Sequence, residues 1–208
     1  MVQDTRMNLF RTDLVSMARA VKESMHESLD ALKNTDRALA LKVIENDESI
    51  NHFDRSINNF AIETIMLQQP VARDLRLLVG GIKVATDLER IGDYSKNICR
   101  YVIMDTGHSK EDSKTVAAIT NVFLSNFEQV IIALENLDDK LAREAASLDS
   151  KLDDSFKDII SVFENDKSRS LNIHLINVLR NIERAGDHSK NICEQIIYIV
   201  KGELIDFG

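Results

Sequence analysis

Apolar residues recur along this chain at alternating spacings of three and four, the period of one face of an α-helix, and two stretches carry the pattern most clearly. Val84, Leu88, Ile91, Ser95, Ile98 and Val102 form the first seam, and Val178, Ile182, Ala185, Ser189, Ile192, Ile196 and Ile199 form the second. A serine stands at the same place in each, where a small side chain permits close helix approach. Upstream lie two further patterned stretches, Ile50, Phe53, Ile57 and Phe60 in the first half and Leu148, Leu152, Ser155, Ile159 and Val162 in the second. A first helix precedes each pair, from about Met7 to Leu32 and from about Ser113 to Leu137. Asn34, Thr35 and Asp36, and later Asp138 and Asp139, supply N-cap chemistry for the helix that follows.

The polar positions show why the two halves look alike. Glu89 to Cys99 (ERIGDYSKNIC) returns as Glu183 to Cys193 (ERAGDHSKNIC), 94 positions later and identical at nine of eleven places. Self-similarity of this kind marks a repeated architecture. The expectation is all-α, two tandem three-helix bundles over residues 1–106 and 107–208, joined through the turn residues Asp105, Thr106, Gly107, His108 and Ser109. Aligning Ile50 with Leu152 gives an offset of 102, so the second half has eight fewer residues between its second and third helices. The stretch lost corresponds to that around Gln68, Gln69, Pro70, Val71, Ala72 and Arg73, where the only proline marks a helix start. Gly80 and Gly81 fall inside the third helix and predict a kink or a close contact with a neighbouring backbone.

Composition narrows the function. The net charge of −8 opposes a phosphate-backbone-binding surface, so nucleic acid is not an expected partner. No apolar run reaches the roughly 18 residues of a membrane span, and residues 1–10 lack the form of a signal peptide, so a soluble cytoplasmic chain is expected. Cys99 and Cys193 occupy equivalent places and are expected to be separate buried thiols.

Glu89 and Asp93 are four apart, as are Glu183 and Asp187, so each pair projects from one side of its helix, away from the apolar seam. Like charges at this spacing destabilise a helix by about 0.2–0.5 kcal/mol unless something lies between them. The preceding helices offer Asp47 with Asn51 and Asp149 with Asp153 at the same spacing. If second and third helices are antiparallel neighbours, these acids converge on two patches, whose oxygens suit magnesium, manganese or iron. Asn97 and Asn191 extend the same face as neutral oxygen donors. A solvated face of ion pairs, with Arg90, Lys96, Arg184 and Lys190 neutralising the acids, is the alternative. His188, standing where Tyr94 stands in the first copy, is expected to be packing or surface, and the other histidines form no zinc-like spacing.

The runs QQPVARDLR (Gln68 to Arg76), IKVATDLERIGDYSKNI (Ile82 to Ile98) and IERAGDHSKNICEQIIYIVKGE (Ile182 to Glu203) closely resemble the PhoU family of phosphate-signalling proteins, and the match extends over essentially the whole chain. The resemblance implies two tandem three-helix bundles. It also implies a cytoplasmic negative regulator of phosphate uptake and the starvation response, linking the ATPase of a phosphate ABC transporter to a sensor histidine kinase, and commonly a homodimer. Any approach to a membrane would come through those partners rather than by insertion. Some members hold multinuclear iron or zinc clusters on paired E/D-x-x-x-D motifs. That pattern falls on Glu89 and Asp93, Glu183 and Asp187, Asp149 and Asp153, and on Asp47 with Asn51 in place of its second acid. An enzyme of the di-iron bundle type is not expected, because such sites use Glu-x-x-His pairs aimed inward, and here Gly92 and Gly186 hold the i+3 places. A helical oligomerisation or scaffold module with incidental metal binding is the remaining alternative.

Overall fold

The computed structural model describes residues 2–104, 110–148 and 173–207. Helix α1 spans Val2–Asn34, α2 Arg37–Gln68, α3 Ala72–Ile103 and α4 Lys110–Asn136; α5 is helical over residues 139–148, and α6 spans Ile173–Lys201. The described residues contain no strand. The expected Leu152, Ser155, Ile159 and Val162 seam and the shortened second-to-third connection lie outside them.

The seams are buried as the periodicity predicts. On α1, Phe10, Leu14, Met17, Val21 and Met25 make a stripe with no exposed surface. Ile50 and Ile57 of α2 and all six seam positions of α3 are buried as well, the apolar ones in the same core. All seven seam positions of α6 are likewise buried. Truncating one such Leu or Ile to Ala removes about 2–5 kcal/mol, because a close-packed interior collapses only in part around the void. Ser95 and Ser189 are buried too, each hydroxyl donating to the carbonyl four residues earlier, Ile91 at 3.4 Å and Ala185 at 2.8 Å. That intrahelical bond lets a polar atom enter the core without an unpaired donor.

Turns in the two halves repeat each other. Asp36 Oδ1 accepts from Leu39 N at 3.0 Å, and Asp138 Oδ1 accepts from Lys140 N and Leu141 N at 2.9 and 3.1 Å, so each side chain caps the helix it opens. The residue before each cap is left-handed, Thr35 at φ 52° and Leu137 at φ 50°. Gly202, at φ +76°, closes α6 by donating its N–H to Tyr198 O at 2.8 Å.

Helix order follows from contacts. Arg6 reaches Thr64 and Phe10 stacks on Phe60, so α1 and α2 are antiparallel. Asp47 meets Lys96 and Ile50 lies against Gly92, so α2 and α3 are antiparallel as well. Between the halves, Lys22 pairs with Glu128 and Arg19 with Glu135, which sets α1 against α4. Arg76 Nε donates to Ile199 O at 3.4 Å near one end of the α3–α6 seam, and Tyr94 meets His188 farther along it. Both inter-half pairings are antiparallel, as a two-fold relation between the halves requires.

Gly80 and Gly81 lie within an unbroken α3 and mark close approaches to side chains rather than to a backbone. A Cβ at Gly80 would sit 2.6 Å from Ile199 Cγ1, and one at Gly81 would sit 2.7 Å from Phe10 Cζ. The first glycine seats the second half against α3 and the second seats α1. Among the described residues, Val116–Asn136 of α4 is long and apolar enough by length and composition to cross a membrane, contrary to the expectation from the sequence that no stretch would be. Its Val116, Ile119, Phe123, Phe127, Val130, Ile131 and Leu134 are buried in the bundle.

Candidate acidic groove and inter-repeat seam

Asp47, Asn51, Asp54 and Asn58 follow one another along α2 at steps of four, three and four, and so form one stripe. Opposite them on α3 stand Glu89, Asp93 and Lys96. The antiparallel pairing brings together the four first-half positions that the carboxylate spacing singles out. Lys96 Nζ lies 2.5 Å from Asp47 Oδ2 on α2 and 2.5 Å from Asp93 Oδ1 on α3. Asn51 Nδ2 donates to the same Asp47 oxygen at 3.2 Å, and Asn58 Nδ2 donates to Asp54 Oδ1 at 2.9 Å. Arg90 Nε stands 3.6 Å from Glu89 Oε2, and its Nη1 3.7 Å from Asp93 Oδ2.

These acids line a groove rather than a fully solvated face. The Asp47 side chain is only 9% exposed, and Glu89 and Asp93 are partly buried. The reason is that α3 is flanked by α1, α2 and α6, so its polar residues open onto inter-helix grooves. Burial, then the charge of Asp93, pushes the Glu89 carboxyl above the usual carboxylate value; Arg90 pulls it down, while Asp54 and Asp47 add to the rise. For Lys96, burial acts to lower the pKa, but hydrogen bonds to Asp47 and Asp93 and their charges outweigh it and hold the ammonium above the ordinary lysine value. Asp54 is a groove residue that carboxylate spacing passed over; its signal is a position seven after Asp47 on the same face.

Among the described residues, no three His, Cys, Asp or Glu side chains are disposed to hold a metal ion. In the first copy the donor set does not fit one as it stands. Asp47 already accepts from an ammonium and an amide, and Asp93 from the same ammonium. In the second copy Glu183 and Asp187 are partly buried on α6, while Asp149 and Asp153 lie outside the described residues. The two asparagines do not extend either acid pair: Asn97 Oδ1 accepts from Arg100 at 2.9 Å, and Asn191 Nδ2 points to Asp87 at 3.4 Å.

His188 has a sharper role than packing. Its Nε2 lies 3.3 Å from Tyr94 Oη, and its Nδ1 lies 2.8 Å from Asp87 Oδ1. Burial foremost raises the Tyr94 phenol; Arg184 and Arg90 lower it, and Asp187 and Asp93 raise it. Charges from both copies of the motif thus act on one hydroxyl, so the copies stand side by side along the α3–α6 seam. Cys99 and Cys193 are buried and form no disulfide, as their equivalent places suggested.

Comparison with known proteins agrees with this architecture. The PhoU domain family matches residues 14–102 and again 116–196, one match in each half. A phosphate-specific transport system accessory protein PhoU homolog of Pseudomonas putida is 33% identical over 199 residues, covering 92% of this chain and 78% of that protein. A homolog of the same description from Pseudomonas aeruginosa is 31% identical, covering 92% and 82%. The crystal structure of PhoU from Pseudomonas aeruginosa superposes with a TM-score of 0.89 at 30% identity, over 96% of this chain and 99% of that one. PhoU from Streptococcus pneumoniae shares the fold, with a TM-score of 0.88 at 24% identity. With both halves matched in sequence and nearly the whole chain in structure, the chain belongs to the PhoU family and has a role in regulating phosphate transport.

Proposed function

We propose that this protein is a non-enzymatic negative regulator of phosphate uptake and of the response to phosphate starvation, an adaptor between the ATPase of a phosphate ABC transporter and a sensor histidine kinase. The observation that carries this reading is the presence of both family repeats in one chain, whose relatives bear the name of phosphate-specific transport accessory proteins. The polar motif supports it physically. It lies in grooves flanking a solid helical interior, within reach of a docking protein, whereas di-iron bundle chemistry uses acids and histidines aimed into the bundle. A cytoplasmic location and a homodimeric state belong to the same proposal.

Metal binding is proposed for the second copy through Glu183 and Asp187, which keep the i, i+4 spacing of oxygen donors. Replacing both with Ala lowers bound metal; unchanged metal content removes that part of the proposal.

The adaptor reading is tested by deleting the gene and following phosphate-regulated transcription and uptake. Derepression of both in phosphate-replete cells is expected, together with capture of the transporter ATPase and the kinase by the tagged full chain. If transcription and uptake stay unchanged in the deletion strain, the regulatory proposal fails.

A further inference from the structure

We infer that the acidic groove of the first copy is a metal-free clamp, in which the Lys96 ammonium takes the place of a bound cation between Asp47 of α2 and Asp93 of α3. The ammonium is equidistant from the two carboxylates, at 2.5 Å from each, and so bridges the helices as an ion would. Its side chain is 17% exposed and that of Asp47 9%, so the bridge is largely withdrawn from water. Removing one member of a partly dehydrated pair is costly, because the other is left with an uncompensated charge.

Asn51 completes the arrangement. A carboxylate at this position would add a further anion to Asp47 and call for a multivalent counter-ion. The amide instead turns a donor toward Asp47 Oδ2, at 3.2 Å, and so helps one monovalent ammonium satisfy the groove. A divalent ion taking this position would have to expel Lys96 and face the Asn51 amide hydrogens. It would also need about six oxygen ligands, of which the groove offers few that are unclaimed.

Helix spacing fits the same role. A Cβ at Gly92 would stand only 3.1 Å from Ile50 Cδ1, so α2 and α3 approach closely at the level of the acids. At that separation a single lysine stem reaches both helices. By sequence Lys190 stands where Lys96 does, and the copies differ at the neighbouring position, Asp153 in the second where the first has Asn51. The contrast rests on the metal reading of the second copy, but the clamp itself does not.

The test is metal content and stability of the full chain. Wild-type protein and the D47N/D93N variant are incubated with Mn²⁺, desalted and assayed for manganese per chain. Equal content is expected, and loss of about one ion or more in the variant overturns the clamp. No manganese in either protein upholds the clamp and removes the second-copy reading. Diffraction from wild-type crystals at the manganese edge needs no variant. An anomalous peak between Asp47 and Asp93 overturns the inference, and none is expected. Finally, K96M should lower the melting temperature by several degrees and leave bound manganese unchanged, because the groove without its ammonium still lacks the oxygen ligands a divalent ion needs. Melting unchanged by K96M counts against Lys96 as the bridge between the helices.

Discussion

Tyr94 and His188 occupy the same place in the two copies of the repeat, and they touch each other across the seam, with ring centroids 5.7 Å apart and Oη 3.3 Å from Nε2. A position that meets its own counterpart lies on the two-fold relation between the halves. Here the two occupants differ, and the difference is used: the imidazole contacts Tyr94 through one nitrogen and Asp87 through the other.

Replacing His188 with Ala leaves the part-buried Asp87, among the described residues, with the 3.4 Å contact from Asn191. The expected loss is about 1–3 kcal/mol, since an acceptor stripped of its partner bears its desolvation. Denaturant unfolding of Y94F, H188A and the double variant should give a coupling of about 0.5–1 kcal/mol between the two side chains. Strict additivity would mean that the contact contributes nothing.

The glycines of α3 make a paired prediction. G80A drives a methyl toward Ile199 and disturbs the packing of the two halves, whereas G81A drives one into Phe10 and Leu14 and disturbs the first half alone. Each is expected to lower stability by about 1–3 kcal/mol despite the better helix propensity of alanine. Hydrogen exchange separates them: G80A should speed exchange on both sides of the α3–α6 seam, and G81A chiefly in α1 and α3.

Thr35 should yield in the opposite direction. It is exposed and β-branched, yet holds φ at 52°, where glycine is at home. T35G is expected to raise stability by several tenths to about 1 kcal/mol, the relief of strain exceeding the added freedom of the unfolded chain. The equivalent L137G should do worse, because Leu137 packs against the core. A drop in melting temperature for T35G would refute the strain.

Burial, with the charge of Glu27 second, pushes the Cys99 thiol up to about 12 from an ordinary 9.0. Between those values the unfolded chain releases a proton that the folded chain keeps. Stability therefore falls as pH rises from 9.0 toward the folded value, and below 9.0 this thiol contributes no pH dependence. C99A should remove that share of the alkaline loss. At about pH 8 the native thiol should resist iodoacetamide, its labelling tracking unfolding rather than pH.

What the sequence disclosed was whatever has a local period. The seam positions of α3 and α6, the Asp36 and Asp138 caps and the duplication itself could be read from spacing, because a helix face and a cap are set by residues three or four apart. Contacts between helices carry no such period. Asp54 enters the groove only because α2 runs antiparallel to α3, and the Asp87–His188 contact exists only because the halves pack on each other. Asn97 and Asn191 share a helix face with the acids by spacing, yet each turns to a different neighbour. Charge pairing was legible as an alternative, with Lys96 and Arg90 among the cations available to neutralise the acids. That Lys96 would join two helices was not, since both of its partners had to be known at once.

The antiparallel α3–α6 seam has the form of an isologous interface, in which each side offers the same patch to the other. Two separate single-repeat chains meeting there would be bound to set identical residues face to face at the position of Tyr94 and His188. Covalent fusion lifts that constraint. It lets one face mutate without the other, so the present chain can hold an asymmetric phenol–imidazole–carboxylate contact at a point where two identical chains could present only like against like.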